Sequence, residues 1–334
     1  MNNDILYEIL RHLPRYKYKQ LCLVCKNFNT LMNTSILFNP LYNIIYMHRF
    51  PYLKNNKLKT LTNITKLNAI HFKITYQTLL CLTNLTKLCL SGDQKFTDYA
   101  FKKLTYLKSL SLISVRDSNI GKSLSNLTNL KTLVIDMSYM IRDNDVSNLT
   151  NLKKLSIENG SITYRTLRCL PQLTYLNMSN NYNIGDKGLK KLTNLKTLIM
   201  NFDYMDDYFE LTDRALLNLN LSHLDISNNS FITNQGISHL TNLTTLDISE
   251  NDITDEGIQH MIHLKNLYFY ANDGITNHGL KNLTNLQSLY FFHHNAITFT
   301  GLQQLPLLTD VDMHGLNDTT YNYNDLKVLS EFFK

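Results

Sequence analysis

Cysteine is scarce in this chain, and glycine nearly so: five of the first and eleven of the second among 334 residues. Five is an odd number. Spread as Cys22, Cys25, Cys81, Cys89 and Cys169, they do not form the disulfide framework of a secreted domain. Few glycines, several of them read as closing helix turns, leave no Gly-rich phosphate loop, and neither H-E-x-x-H nor G-x-S-x-G occurs. No run of 18 apolar residues is present, so no membrane span is expected. The N-terminus lacks the basic leader and apolar core of a secretory signal, because Asp4, Glu8, Arg11 and His12 punctuate it. A cytoplasmic, reducing compartment is the expected setting. N-x-[ST] sequons such as Asn84-Leu85-Thr86 read as by-products of a recurring phrase, not as glycosylation sites.

What is present is a folded composition, 43% apolar and 18% charged, and an uneven charge. The net is +6. Residues 1–60 hold 9 Lys/Arg against 2 Asp/Glu, residues 61–200 hold 19 against 8, and residues 201–334 hold 5 against 17. The three segments carry +7, +11 and −12. Such a two-ended field steers and orients partners.

From residue 61 one phrase returns, as in "LTNLTKLCLSGDQKFTDYAFKK" at Leu82 and "LTNLTTLDISENDITDEGIQH" at Leu240. Units begin at Leu61, Leu82, Leu104, Leu127, Leu149, Leu170, Leu192, Asn218, Leu240, Met261, Leu283 and Leu305. All spacings are 21–23 residues except the 26 after Leu192. Self-similarity at this period marks a solenoid. In the Leu240 unit, Leu243, Leu246 and Ile248 are predicted to point inward, with Asp247 on the opposite strand face. Asn251 is placed at the turn, where its side chain can bond backbone groups that have left the strand. Thr254 is read as a helix N-cap, Asp255 and Glu256 as complements to the helix dipole, and Ile258 and Met261 as the inward stripe. The pattern L-x-x-L-x-x-L-x-[IL]-x-x-[ND]-x-I resembles the leucine-rich repeat over about four fifths of the chain. The resemblance implies an α/β solenoid of about twelve repeats, with parallel strands on the concave side and short helices on the convex side. The end units read as caps, with Phe72 and Leu316 at the Asn position and a closing amphipathic helix in "YNYNDLKVLSEFFK".

The first sixty residues differ. Ile5, Leu6, Ile9, Leu10 and Leu13 form one helical stripe, which Pro14 ends; Leu21, Val24, Cys25, Phe28, Leu31 and Met32 form a second. Cys22 and Cys25 stand as C-x-x-C, but zinc needs about four ligands and only His12 lies near. A redox pair usually follows a strand, and none is expected here. "DILYEILRHL" and "LCLVCKNF" instead resemble the two halves of an F-box, L-P-x-[DE]-[IL]-[IL]-x-[DE]-I-[LF]-x-x-L and L-x-L-V-C-[KR]-x-[WF]. The resemblance puts Cys25 at the family's buried cysteine, Lys26 at its basic position, and Phe28 where Trp is commonest. The family's leading Leu-Pro is absent, a dipeptide that often helps dock the adaptor. The expected organisation is an F-box-like helical unit over 1–38, a helical connector over 39–60 built on Leu41, Ile44, Ile45 and Met47, and the solenoid over 61–334.

Solvent-facing strand positions are free of core duty. In most units they are small or polar, as at Ser109, Ser111, Ser156, Asn177 and Ser179, but they change toward the C-terminus. Asp225 and Asp247 are followed by Tyr268, Tyr270, Tyr290 and Phe292, then by His293, His294, Asp310, Asp312 and His314. Exposed aromatics suit an interface centre; cross-strand stacking is the alternative. Neighbouring histidines on a strand point opposite ways, so no metal set follows from them. The insertion after Leu192, "NFDYMDDYFE", adds Tyr204, Asp206, Asp207 and Tyr208 on an acidic, aromatic loop. Together these residues suit a basic protein segment. Nucleic acid is disfavoured, because the lysines spread over helices and rims with few aromatics beside them.

Neither catalytic residues nor a cofactor is expected. The joint resemblance is to the substrate-recognition subunits of Skp–cullin–F-box ubiquitin ligases. It implies that the F-box residues named above dock the Skp adaptor and that the solenoid holds a protein for ubiquitination, the chain acting as a monomer within that complex. The alternative is a free-standing repeat scaffold or host-directed effector that binds a protein partner without a ubiquitin-ligase link. The wealth of Asn, Lys, Ile and Tyr is similar to that of F-box repeat proteins from giant viruses and intracellular bacteria.

Overall fold

The computed structural model describes residues 44–46, 54–92, 99–116, 120–202, 211–292 and 296–314, with backbone alone for 44–46, 292, 313 and 314. The F-box residues, the Cys22–Cys25 pair, most of the insertion and the expected closing helix lie outside them. The chain divides into two compact units, 1–141 and 142–334.

In the first unit, strands β1 (Ile44–Tyr46), β2 (Lys66–Ala69), β3 (Lys87–Ser91), β4 (Ser109–Ile113) and β5 (Thr132–Asp136) pair in sequence order, all parallel. β1 corrects the expected helical connector. Ile44–Tyr46 takes the register of a thirteenth strand against Lys66–Asn68, consistent with the strand preference of β-branched and aromatic residues. Among the described residues of the connector, Asn55–Leu58 is helical.

The second unit repeats the arrangement with β6 (Lys154–Ser156), β7 (Tyr175–Asn177), β8 (Thr197–Ile199), β9 (His223–Asp225), β10 (Thr245–Asp247), β11 (Asn266–Tyr268), β12 (Ser288–Phe292) and β13 (Asp310–His314), again parallel to their neighbours. Helices of four or five residues follow the strands, as at Asn234–Ile237, Asp255–Ile258, Asn277–Leu280 and Phe299–Leu302. After β8 a 3-10 turn, Asp213–Ala215, takes the helix's place.

A four-residue helix has no stability of its own, so packing must hold it. Leu243, Leu246, Ile248, Ile258 and Met261 are all fully buried, each contributing roughly 1.5–3 kcal/mol. Hydrogen bonds between consecutive repeats add direction. Asp255, at the start of one helix, accepts from the backbone N–H and hydroxyl of Thr276 in the next repeat at 2.8 and 2.6 Å. Asp213 holds Thr233 and Asp186 holds Thr212 in the same way. Asn234 and Asn277 do so with their amides at Thr254 and Thr298. Asp255 therefore complements more than its own helix dipole. Thr254 also departs from expectation: its hydroxyl receives Asn234 and makes no cap bond, whereas Thr233, Thr276 and Thr298 cap their helices.

This ladder explains four of the glycines, which lie inside helices and do not close their turns. Gly236, Gly257, Gly279 and Gly301 lie inside the helices, where an added Cβ would run into the Asp213, Asn234, Asp255 and Asn277 side chains respectively. At the turn, Asn251 Oδ1 accepts from Ile253 N–H at 3.1 Å and its Nδ2 donates to the Ile226 carbonyl one repeat earlier at 3.3 Å. Asn272 donates to Ile248 O and to Asn251 Oδ1. The buried Asn229 amide nitrogen has no partner among the described residues. The residue preceding each Asn is left-handed, including Glu250 (φ 52°) and Ala271 (φ 47°).

Two substitutions test this frame by urea denaturation. Gly279→Ala displaces the Asp255 carboxylate from Thr276 and is expected to cost about 1–3 kcal/mol. Ala271→Gly relieves a left-handed non-glycine residue and is expected to stabilise by about 1 kcal/mol.

Candidate functional site

Side chains at the third position of each short strand face away from the leucine core, whose residues hold the second. In the second unit the parallel register lines them up. Ile199 pairs with Asp225, Asp225 with Asp247, Asp247 with Tyr268, Tyr268 with Tyr290, and Tyr290 with Asp312. Five residues singled out from sequence thus form one row across β9–β13, because a solenoid puts equivalent positions side by side. Tyr270 lies just past β11 and is half-buried. Phe292 closes β12, in register with His314. Tyr204, Asp206, Asp207, Tyr208 and His293 fall outside the described residues.

The aromatic end of the row is ordered by stacking. Tyr268 and Tyr290 are nearly parallel, 5° apart, with ring centroids 4.4 Å from each other. On the opposite face of the same strands Phe269 and Phe291 stack in the core at 5.1 Å. Stacking and exposure therefore coexist, so the two sequence readings of these tyrosines are compatible. The Tyr290 hydroxyl donates to Asp310 Oδ2 at 2.5 Å. That bond, with burial and the Asp310 charge, pushes the phenol up to about 12. Burial, then the Asp312 and Asp247 charges and Tyr268, also raise the Tyr270 phenol.

The acidic end is less comfortable. Asp225 accepts from the Ser227 N–H and hydroxyl at 3.0 and 2.6 Å. Asp247 accepts from Ser249 N–H at 3.0 Å. Burial raises the Asp247 carboxyl from 3.8 to about 6, and the neighbouring Asp225 charge adds to the effect against the Ser249 bond. Neither aspartate has a lysine or arginine partner among the described residues.

Tyr175 on β7 is a functional candidate that sequence reading missed. Burial, then the charges of Glu158 and Asp225, raise its phenol, and Lys154 Nζ lies 6.0 Å from its ring centroid. The signal was its outward strand position, two residues before the row's own position at Asn177. Among the described residues no group of three or more His, Cys, Asp or Glu side chains could hold a metal, and no helix is long and apolar enough to cross a membrane.

The Asp247 carboxyl makes a measurable demand on the fold. Its folded pKa lies above its unfolded one, so ionisation disfavours the folded state and the loss develops as pH rises from about 4 to about 6. Asp247→Asn should unfold at the native urea midpoint near pH 4 and be more stable by about 1–3 kcal/mol above pH ~6. A constant difference across that range would contradict the burial argument.

Comparison with known proteins agrees with this architecture. A family model for the leucine-rich repeat matches residues 169–193, 217–238 and 239–261, and one for the F-box domain matches residues 1–39. No curated protein matches the chain. Among solved structures the fold is similar to an internalin from Listeria monocytogenes str. 4b F2365, at 24% identity and TM-score 0.54, covering 78% of this chain and 89% of that one. It is similar too to the Toll–Spätzle complex from Drosophila (18% identity, TM-score 0.53, 83% of this chain and 43% of that one). The TLR13–ssRNA13 complex matches at 17% identity and TM-score 0.55, over 79% of this chain and 42% of that one. The chain thus spans less than half the length of those last two, and identities this low establish the fold alone. The F-box match coincides with the two helical stripes read from sequence and the repeat matches lie within the solenoid, so the chain carries an F-box domain match followed by leucine-rich repeats.

Proposed function

We propose that this chain is a non-catalytic adaptor that docks the Skp subunit of a cullin ubiquitin ligase through residues 1–38 and presents a protein substrate on its solenoid. The single observation that carries the reading is the succession in one chain of an F-box match at 1–39 and leucine-rich repeats. Both families serve as interaction modules. In the F-box stretch Ile5, Leu6, Ile9, Leu10, Leu13, Leu21, Val24, Cys25, Lys26 and Phe28 are the proposed adaptor-binding residues. Cys22 and Cys25 serve packing in this reading, and the ubiquitin chemistry belongs to other subunits.

The row Asp225–Asp247–Tyr268–Tyr290–Asp312, with Tyr270 and Phe292 beside it, is the proposed substrate face. It combines what interface centres are rich in, tyrosines on a rigid support, with carboxylates at its acidic end that have no lysine or arginine partner among the described residues. Tyr204, Asp206, Asp207, Tyr208 and His293 are proposed to extend it. A basic protein segment is the complementary occupant, and the −12 charge of residues 201–334 would draw it in.

Co-purification tests the adaptor half. Expressed in eukaryotic cells, the intact chain should retain the Skp adaptor, and Leu6→Asp with Leu10→Asp should lose it at least tenfold by immunoblot. Equal retention by the double variant would remove the ligase link and leave the free-standing scaffold.

A further inference from the structure

The tyrosine pair has one face occupied and one face open. The 4.4 Å separation of the Tyr268 and Tyr290 rings is close to the spacing of neighbouring strands, about 4.8 Å. Their planes therefore stand across the row, each ring facing along it. Tyr290 covers one side of Tyr268. The other side looks toward β10, where Asp247 is the register partner, with Asp225 one strand further. No second ring and no cation of the described residues lies over Tyr268.

We propose that the open face of Tyr268, together with the Asp247 and Asp225 carboxylates, is a seat for an arginine side chain carried by an extended segment of a protein partner. This rests on the reading that the outward sheet face of the repeats is where the solenoid takes its partner. Two surfaces meet there at right angles to each other's needs: a flat π face, and a pair of carboxylates one strand spacing apart. A guanidinium satisfies both, stacking by its plane and donating N–H pairs from its edge to a carboxylate. An ammonium is a compact, strongly hydrated charge and gains less from the ring face.

Asp247 supplies the second argument. The carboxyl is half-buried beside another carboxylate and has no basic neighbour among the described residues, so it weakens the free protein. A cation brought by a partner removes that penalty on binding, which turns a local cost into differential affinity. Elsewhere in the unit acidic side chains at the helix starts, Asp213 and Asp255, are spent on threonines of the next repeat. Among the described residues Asp225 and Asp247 bond only the serines two residues on, which leaves acceptor capacity toward solvent.

The test uses the full chain and three fluorescein-labelled nonapeptides of serine and glycine with three interspersed arginines, lysines or citrullines, read by anisotropy at ~0.15 M salt. The arginine peptide should bind at least about fivefold more tightly than the lysine peptide, and the citrulline peptide at least about tenfold more weakly than the arginine one. Asp247→Asn and Tyr268→Ala should each weaken the arginine peptide about tenfold, while Tyr268→Phe, which keeps the ring, should bind as the native chain does. Asp247→Asn is expected to be the more stable protein at neutral pH, so its loss of binding is not a folding defect. Asp252→Asn with Glu256→Gln removes two charges from exposed positions off the row and should change nothing. Equal binding of arginine and lysine peptides overturns the proposal. So does native binding by Asp247→Asn and Tyr268→Ala, or an equal loss in the off-row double variant. The peptides need no adaptor. A failure here with Skp retention intact sinks the arginine seat alone, and a failure of Skp retention leaves the peptide result standing.

Discussion

Each repeat of this chain is too small to fold by itself, and the structure rests on what one repeat lends the next. Leucines fill the layer between strand and helix, yet leucine packing alone sets neither register nor spacing. Directional bonds do that. Asp255 reaches Thr276, Asp213 reaches Thr233, and Asn277 reaches Thr298, while Asn251 and Asn272 tie each turn to the one before. The helices are short because a single turn suffices to present an acid or amide to the following threonine. Glycine three residues into the helix leaves room for that side chain, a constraint set by close approach rather than by backbone conformation.

The same stacking manufactures the candidate site. Because the register advances by one whole repeat per strand, any residue type favoured at one outward position becomes a row. Asp225 and Asp247 are neighbours for this reason, and so are Tyr268 and Tyr290. Two like charges at this distance, one of them pushed toward neutrality, are an expense to the fold. The stacked tyrosines beside them are a gain, echoed by Phe269 and Phe291 beneath. A surface with both features favours a cationic partner with a flat group, and it disfavours acidic ones.

Much of this was legible in the chain. The returning Leu-x-Leu placed twelve strands on β2–β13, since an outward polar residue between two buried ones is a two-residue period that burial enforces. Asn251 announced its bond at the turn, to the Ile253 N–H. Other features were not legible because their cause lies one repeat away. Asp255 reads locally as a complement to its own helix, and only the stacked structure reveals Thr276 beside it. Gly257 gives no local reason for a glycine inside a helix until Asn234 is seen against it. Glu250 and Ala271 give no sign of left-handed backbone, for neither residue prefers it. Ile44–Tyr46 reads as part of an apolar helical stripe, but an open sheet edge at Lys66–Asn68 makes it a strand.

The proposed function divides one chain into an end that would belong to the ligase and a surface that would belong to the substrate. That division is the central claim, and proteomics of the bound partners tests it most directly. Proteins recovered from eukaryotic cells with the intact chain are compared with those recovered with a chain lacking residues 1–40. The account predicts two separate groups: ligase components lost on truncation, and a set with basic segments retained. Identical partner lists from the two chains would contradict it.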